Sequence, residues 1–210
     1  VIRVLIVDDH EMFAASLAHV LSAESDIEVV GTAATAAAAV PAAQDSAADV
    51  VLLDNRLPDG EGVHIIGALL DLPSQPKVVM LTATASDRLM IDAITAGAAG
   101  FIDKTRSVDA VIEAVRSAAA GESLITPAQL ARLLPQLRTP AAAPVDEITA
   151  REREILQLIA EGLSNADIAA RLTVSVHTVR NHVANLSTKL GAHSKLEVLA
   201  KALQRGLLPG

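Results

Sequence analysis

The sequence predicts a doubly wound α/β domain, a (βα)₅ arrangement, followed by a smaller all-α domain of four helices, and three observations carry that prediction. Over the first 120 residues five short apolar runs rich in β-branched residues alternate with helical segments. Pro127, Pro135, Pro140 and Pro144 then interrupt the rhythm, and beyond them every periodic segment is helical. Parallel strands need crossover connections, and right-handed crossovers place helices on both faces of a sheet. The chain therefore divides into an α/β domain at 1–120, a linker at 121–146 and a helical domain at 147–210.

The strands are read at Ile2–Val7, Ile27–Gly31, Val50–Leu53, Lys77–Leu81 and Gly100–Ile102, each apolar almost throughout, as a strand buried on both faces must be. Helices fill the gaps at Met12–Ala23, Thr35–Ala43, Gly62–Leu70, Asp87–Ala96 and Ser107–Ala120. In the linker one amphipathic stretch, Ala128–Leu137, predicts a short helix whose Leu130, Leu133, Leu134 and Leu137 need a surface to pack on, and either domain can provide it. Thr149 with Glu152 caps a helix running to Glu161 that Gly162 ends. Ser164 with Asp167 caps Ala166–Leu172, and Thr173-Val174-Ser175 turns the chain into Val176–Leu190. Gly191 stops that helix, and Ser194 with Glu197 caps a last one ending near Gly206.

Composition narrows the function. Among 210 residues there is no Cys, which excludes a disulfide framework, a thiolate metal site and a catalytic thiol. No apolar run approaches the ~20 residues of a membrane span, and the chain opens on a strand rather than a targeting segment, so a cytoplasmic protein that makes no use of a membrane is expected. The net charge of −8 is unevenly placed. Residues 1–140 hold 9 basic against 18 acidic side chains, and 141–210 hold 8 against 7, so the second part stands at +1. Within it Arg180, Lys189, Lys195, Lys201 and Arg205 form a basic stretch suited to phosphate.

Three short motifs fall at the carboxyl ends of strands, the edge at which open parallel sheets bind ligands. They are Val7-Asp8-Asp9-His10, Leu53-Asp54-Asn55-Arg56-Leu57-Pro58-Asp59-Gly60 and Phe101-Ile102-Asp103-Lys104. Paired acids can bind a hard cation such as Mg²⁺ through oxygen, a lone Asp can attack a phosphoryl group, and a Lys can neutralise it. Crowded carboxylates repel one another without a cation among them. A phosphatase of the haloacid-dehalogenase type would need a second Asp two residues after the nucleophile, where Arg56 stands, so an enzyme is not expected.

Asp8-Asp9, Asp54 with Pro58 and Gly60, Thr82-Ala83, and Phe101 three before Lys104 resemble the full signature of a bacterial response-regulator receiver domain. The resemblance implies that Asp54 is the phosphoacceptor and that Thr82 and Lys104 contact the phosphoryl oxygens. It further implies a Mg²⁺ held by Asp8, Asp9, Asp54 and the backbone carbonyl of Arg56. The Arg56 side chain can shield or bind the phosphoryl group, and its sign stays open. Thr82 is expected to move toward the phosphoryl group and Phe101 to turn into the vacated space, a switch that rests on packing because Phe101 lacks a hydroxyl.

Two short helices joined by a tight turn, the second basic and amide-rich near its start, make a helix-turn-helix pattern. Ile148 to Leu208 resembles the four-helix DNA-binding domain of the LuxR family, and with the receiver the chain resembles the NarL/FixJ class of regulators. Ser187 departs from that pattern, since the family usually has a large apolar residue there, and a loosened or rearranged core is expected beside it. On the third helix Val179, Val183, Leu186 and Leu190 recur toward the core while Thr178, Arg180, Asn181, Ala184, Asn185 and Lys189 make the DNA-facing side. Arg180 and Asn181 are the expected base readers, Thr178 and Lys189 phosphate contacts, and Ala184 an apolar contact. His177 and His182, five apart, make a poor metal pair.

The resemblance thus implies a transcription regulator switched by a sensor histidine kinase. It binds double-stranded DNA as a homodimer through Leu196, Val198, Leu199 and Leu203 of the last helix. The alternative is a regulator that binds DNA independently of phosphorylation or in response to a ligand, against which the intact acid set speaks.

Overall fold

A computed structural model describes residues 1–83, 86–125, 127–133, 136 and 148–208. In order the elements are β1 (Ile2–Val7), α1 (Glu11–Leu21), β2 (Ile27–Ala33), α2 (Ala36–Ser46), β3 (Val50–Asp54), β4 (Arg56–Leu57) and β5 (Gly60–Glu61). A 3₁₀ turn (Gly62–Ile65) leads into α3 (Ile66–Leu70), β6 (Lys77–Thr82), α4 (Asp87–Ala96), β7 (Gly100–Asp103) and α5 (Val108–Ala119). The linker helix α6 (Pro127–Leu133) precedes α7 (Ala150–Ala160), α8 (Asn165–Leu172), α9 (Val176–Leu190) and α10 (Lys195–Gln204).

The large sheet is wholly parallel in the order β2-β1-β3-β6-β7. Alternate residues of one strand serve opposite faces: Leu5, Val7, Val51, Leu53, Val78 and Met80 join one cluster, and Val4, Ile6, Val50, Leu52, Val79 and Leu81 join the other. The first is closed by α2, α3 and Ala93 of α4, the second by α1 and α5. Burying the two-faced strands removes roughly 1.5–3 kcal/mol of exposed apolar side chain per residue from water.

The five strand positions and nine of the helices fall where the pattern placed them, with small differences at the ends. Strands β2, β3, β6 and β7 extend one or two residues further, because backbone pairing continues to Ala33, Asp54, Thr82 and Asp103. Gly62–Leu70 is not one α-helix: its first turn is 3₁₀. The linker helix covers Pro127–Leu133, and the expectation for Leu134 and Leu137 lies outside the described residues. The caps hold as read: Thr149–Glu152 and Ser164–Asp167 are reciprocal capping boxes. Ser194 accepts from the Glu197 N–H, while the Glu197 carboxylate reaches back to the His193 N–H.

The two domains share a third apolar cluster. Leu130 and Leu133 of α6 and Met90 and Ile94 of α4 are buried together with Ile155, Leu156, Leu186, Leu196, Leu199 and Leu203. The linker helix thus packs on both domains. Its Arg132 also pairs with Asp87 at the start of α4, at 2.8 Å.

Candidate functional site

The parallel strands deliver their carboxyl ends to one edge, and the expected residues meet there. Asp8 and Asp54 are 2% and 5% exposed and Thr82 6%, so the acids stand in a setting that solvates charge poorly. Lys104, from the turn after β7, reaches across β6 to both: its Nζ lies 2.6 Å from Asp8 Oδ2 and 2.8 Å from Asp54 Oδ2. Burial works against its ammonium, but the two carboxylates outweigh that and raise its pKa above the ordinary lysine value. The Asp8 Oδ2 atom makes no hydrogen bond of good geometry, so the Lys104 ion pair is what satisfies it.

Three neighbours of this centre were given no role from the sequence pattern. The Lys104 ammonium stands 5.0 Å from the centroid of the Phe13 ring, a cation–π arrangement supplied by α1. His10 Nδ1 lies 2.8 Å from Asp9 Oδ1 and 3.2 Å from Asp8 Oδ1. Gly62 presses on the acceptor itself, because a Cβ there would collide with the Asp54 carbonyl oxygen and come 3.0 Å from Leu53 Cγ. The only cue was the Gly60-Glu61-Gly62 spacing after the acceptor.

The loop carrying Asp54 is pinned from both sides. Asn55 accepts from Gly62 N–H at 2.8 Å and, by its side chain, from Val63 N–H at 3.2 Å. Asp59 accepts from the Ala36 and Ala37 N–H groups at 2.8 and 2.9 Å, anchoring the loop to the α2 N-terminus. Those donors hold the Asp59 carboxyl below its usual pKa.

Oxygens of Asp8, Asp9 and Asp54 and a nitrogen of His10 lie within 4.8 Å of one another. A set dominated by carboxylate oxygen, half of it buried, fits a hard divalent cation. Asp54 and His10 of this set line a cleft of about 1040 Å³, with exposed Arg56 also on its wall beside Thr82 and Lys104. Phe101 is half-buried, packed between the sheet core and the shared interdomain cluster.

In the second domain α9 carries its apolar stripe inward: Val179, Val183, Leu186 and Leu190 are buried. Arg180, Asn181, Ala184 and Asn185 are exposed and Thr178 half-buried. Two residues of this side have partners within the domain. The Lys189 ammonium lies 2.7 Å from the buried carboxylate of Glu152, so its charge is paired within the domain while its side chain stays 27% exposed. Burial raises the Glu152 pKa, but Lys189 and the Thr149 N–H and hydroxyl overcome it and leave the carboxyl below its ordinary value. Thr178 likewise shares its hydroxyl with Ser175 Oγ at 2.8 Å. His177 faces Asn181 at 3.3 Å, and His182 Nδ1 is buried, so the two histidines do not form a metal site.

Ser187 lines a cavity of about 230 Å³ between the domains, with Arg180, Ala184, Lys77, Ala120 and Asn165. The turn between α9 and α10 meets the first domain directly. Ser194 Oγ donates to the Ala98 carbonyl at 2.9 Å and Lys77 Nζ to the His193 carbonyl at 3.3 Å. Leu196, Val198, Leu199 and Leu203 are all buried in the shared cluster, so in this arrangement they form no free face.

Comparison with known proteins follows the same division. Residues 4–116 match the response regulator receiver domain and 146–202 the luxR family of bacterial regulatory proteins. The chain is 37% identical over 213 residues to the DNA-binding transcriptional activator DevR/DosR of Mycobacterium tuberculosis, covering 100% of this chain and 98% of that one. It is 37% identical over 208 residues to the response regulator protein VraR of Staphylococcus aureus, covering 99% of each. Among solved structures it is similar to the response regulator ChrA of a heme-sensing two-component system, at 32% identity and a TM-score of 0.51 over 99% of this chain and 98% of that one.

Proposed function

Because this chain belongs to the response regulators that join a receiver domain to a LuxR-type DNA-binding domain, we propose that Asp54 is its phosphoacceptor and α9 its recognition helix. The protein is a DNA-binding transcription regulator. The observation that carries the residue-level reading is the meeting of Asp8, Asp54 and Lys104 at one sheet edge within 2.6 to 2.8 Å.

The phosphoryl donor is the phosphohistidine of a sensor histidine kinase in the cytoplasm. A carboxylate oxygen of Asp54 attacks phosphorus in line, the P–N bond breaks as the acyl P–O bond forms, and the imidazole leaves. Asp8, Asp9, Asp54 and the Arg56 carbonyl would hold Mg²⁺, which supplies charge neutralisation at the phosphoryl oxygens when bound. Lys104 gives up part of its pairing with Asp54 to the new phosphoryl group, and Thr82 donates its hydroxyl to it. Phe101 follows inward, shifting the packing of β7 and α4.

In this reading the described arrangement is the resting one, and the core shared by the two domains supports it. While α4 covers α10, the residues Leu196, Val198, Leu199 and Leu203 are unavailable for a homodimer, and the edge of α9 bearing Arg180 and Ala184 is crowded by the receiver. Phosphorylation frees α10 to pair two copies and α9 to enter the major groove, with half-sites about one helical turn apart.

The test is intact mass after incubation with a small phosphodonor, with and without Mg²⁺, beside Asp54→Asn, followed by DNA affinity of both forms. One added phosphoryl group requiring Mg²⁺ and Asp54, with tighter sequence-preferring DNA binding, is expected. Equal DNA affinity of a phosphorylated and an unphosphorylated chain would return the protein to the phosphorylation-independent alternative.

A further inference from the structure

The chain leaving α5 does more than connect the domains. After the left-handed turn at Gly121 (φ 75°), it runs parallel beside β7, the edge strand of the sheet. Leu124 N–H donates to the Ala99 carbonyl at 3.1 Å and Phe101 N–H to the Leu124 carbonyl at 3.3 Å, which pairs Gly100 with Leu124. The approach is close enough to demand glycine: a Cβ on Gly100 would stand 2.7 Å from the Leu124 carbonyl oxygen and nearer still to its Cβ.

The same short segment grips the other domain. Both oxygens of Glu122 accept from the Asn165 N–H in the first turn of α8, at 3.1 and 3.2 Å, where a helix favours an anion. One of them also lies 3.3 Å from Lys195 Nζ, in the first turn of α10. The Lys195 side chain is 3% exposed, and its ammonium donates as well to the Leu163 carbonyl at 2.9 Å. One carboxylate from the receiver side therefore holds the starts of two helices of the DNA-binding domain.

We propose that Glu122–Ile125 is the latch through which the receiver restrains the DNA-binding domain, closed on β7 at Gly100 and on α8 and α10 through Glu122. The proposal rests on the reading of Asp54 as phosphoacceptor and α9 as recognition helix. Phe101 is the residue whose N–H holds Leu124, and Glu122 stands two residues before Leu124. Rearrangement of Phe101 on phosphorylation loosens that hydrogen bond, the segment lifts from the sheet edge, and Glu122 is withdrawn from Asn165 and Lys195. A segment that merely covered an unpaired strand edge would keep its pairing in both states.

Hydrogen–deuterium exchange of the full chain, before and after phosphorylation, distinguishes the two. Amides of 122–125 and Asn165 are expected to lose protection together on phosphorylation, while those of β1 and β3 keep theirs. Gly100→Ala, which blocks the pairing, and Glu122→Gln, which keeps the side-chain shape and removes its charge, should each tighten DNA binding of the unphosphorylated chain about tenfold, within the range of allosteric couplings. Phosphorylation should add little further, and its rate at Asp54 should stay that of the wild type. If Gly100→Ala does not fold, Glu122→Gln decides. Unchanged protection at 122–125 in a phosphorylated chain with raised DNA affinity, or wild-type DNA affinities in Glu122→Gln, overturns the latch and leaves the phosphoacceptor reading standing. Absence of phosphorylation by intact mass removes both.

Discussion

The Nζ atom of Lys104 lies 2.8 Å from Oδ2 of Asp54, although the two residues are 50 positions apart and their strands are separated by β6. The pair sets a cation beside the acceptor before any phosphoryl group arrives, and with Asp8 it makes a three-membered charge cluster. Lys104→Met should therefore act in two directions. Removing one partner of buried charges costs about 3–5 kcal/mol of receiver stability in metal-free protein. The same change should strengthen Mg²⁺ binding, because the cation no longer competes for Asp8 and Asp54. Chemical denaturation with and without Mg²⁺ reads both effects, and a variant as stable as wild type without metal would contradict the role given to the pair.

Gly62 lies in a backbone conformation open to any residue, yet has no room for a side chain. A Cβ there collides with the Asp54 carbonyl oxygen, so Gly62→Ala must push the acceptor loop away from β3. The expected cost is about 1–3 kcal/mol, together with slower phosphorylation by a small phosphodonor. Gly67→Ala, where a Cβ meets nothing within 4 Å, is the control and should leave both quantities unchanged.

The central strands were legible because they are buried on both faces, as β3 is throughout, and read as nearly uninterrupted apolar runs. The acids were legible because parallel topology sends every strand's carboxyl end to one edge. Phe13 and Gly62 were hidden for the opposite reason. Phe13 looks like any apolar residue of an amphipathic helix, and only tertiary packing brings its ring to Lys104. For Lys189, helical periodicity gives the polar side of α9 but not the carboxylate 37 residues earlier in sequence with which it pairs. Ser187 was read against an isolated domain, and it faces a neighbour the pattern did not supply.

The Glu152–Lys189 pair carries a pH signature. Glu152 has its pKa lowered in the folded chain from the ordinary 4.5. A depressed carboxyl contributes stability that is present above its unfolded value and lost as pH falls through the folded one. Wild type should exceed Glu152→Gln in stability at about pH 7, and that difference should shrink below about pH 4 as the carboxylate is protonated. Denaturation curves of both proteins across this span check the sign. A difference that grows on acidification would mean the pair does not stabilise the folded carboxylate.

On α9, Arg180 and Asn181 are exposed and Lys189 is engaged with Glu152, which separates two kinds of variant. Arg180→Ala should relax preference at one base position by about 1–3 kcal/mol. Lys189→Ala should instead lower the stability of the DNA-binding domain by roughly 1–3 kcal/mol, because buried Glu152 is left without its cation. Binding measured on a panel of single-base variants, with thermal unfolding of each protein, distinguishes them. Uniform weakening by Arg180→Ala on every sequence would make it a phosphate contact.

Met90 offers the most direct hold on the resting arrangement. It is fully buried and projects from α4 into the cluster formed by α6, α7, α9 and α10, not into the sheet core. Truncating a buried Met to Ala costs about 2–5 kcal/mol, and at Met90 that loss falls on the contact between domains. Met90→Ala should therefore shift the chain toward the open form, raising both self-association and DNA affinity without phosphorylation, while Asp54 is phosphorylated normally. Sedimentation velocity over a concentration series and DNA titration provide the readouts. Ala93 of α4 faces the receiver core instead, so Ala93→Gly should destabilise the receiver and leave domain docking in place. If Met90→Ala lowers stability yet stays monomeric with wild-type DNA affinity, α4 does not restrain α10.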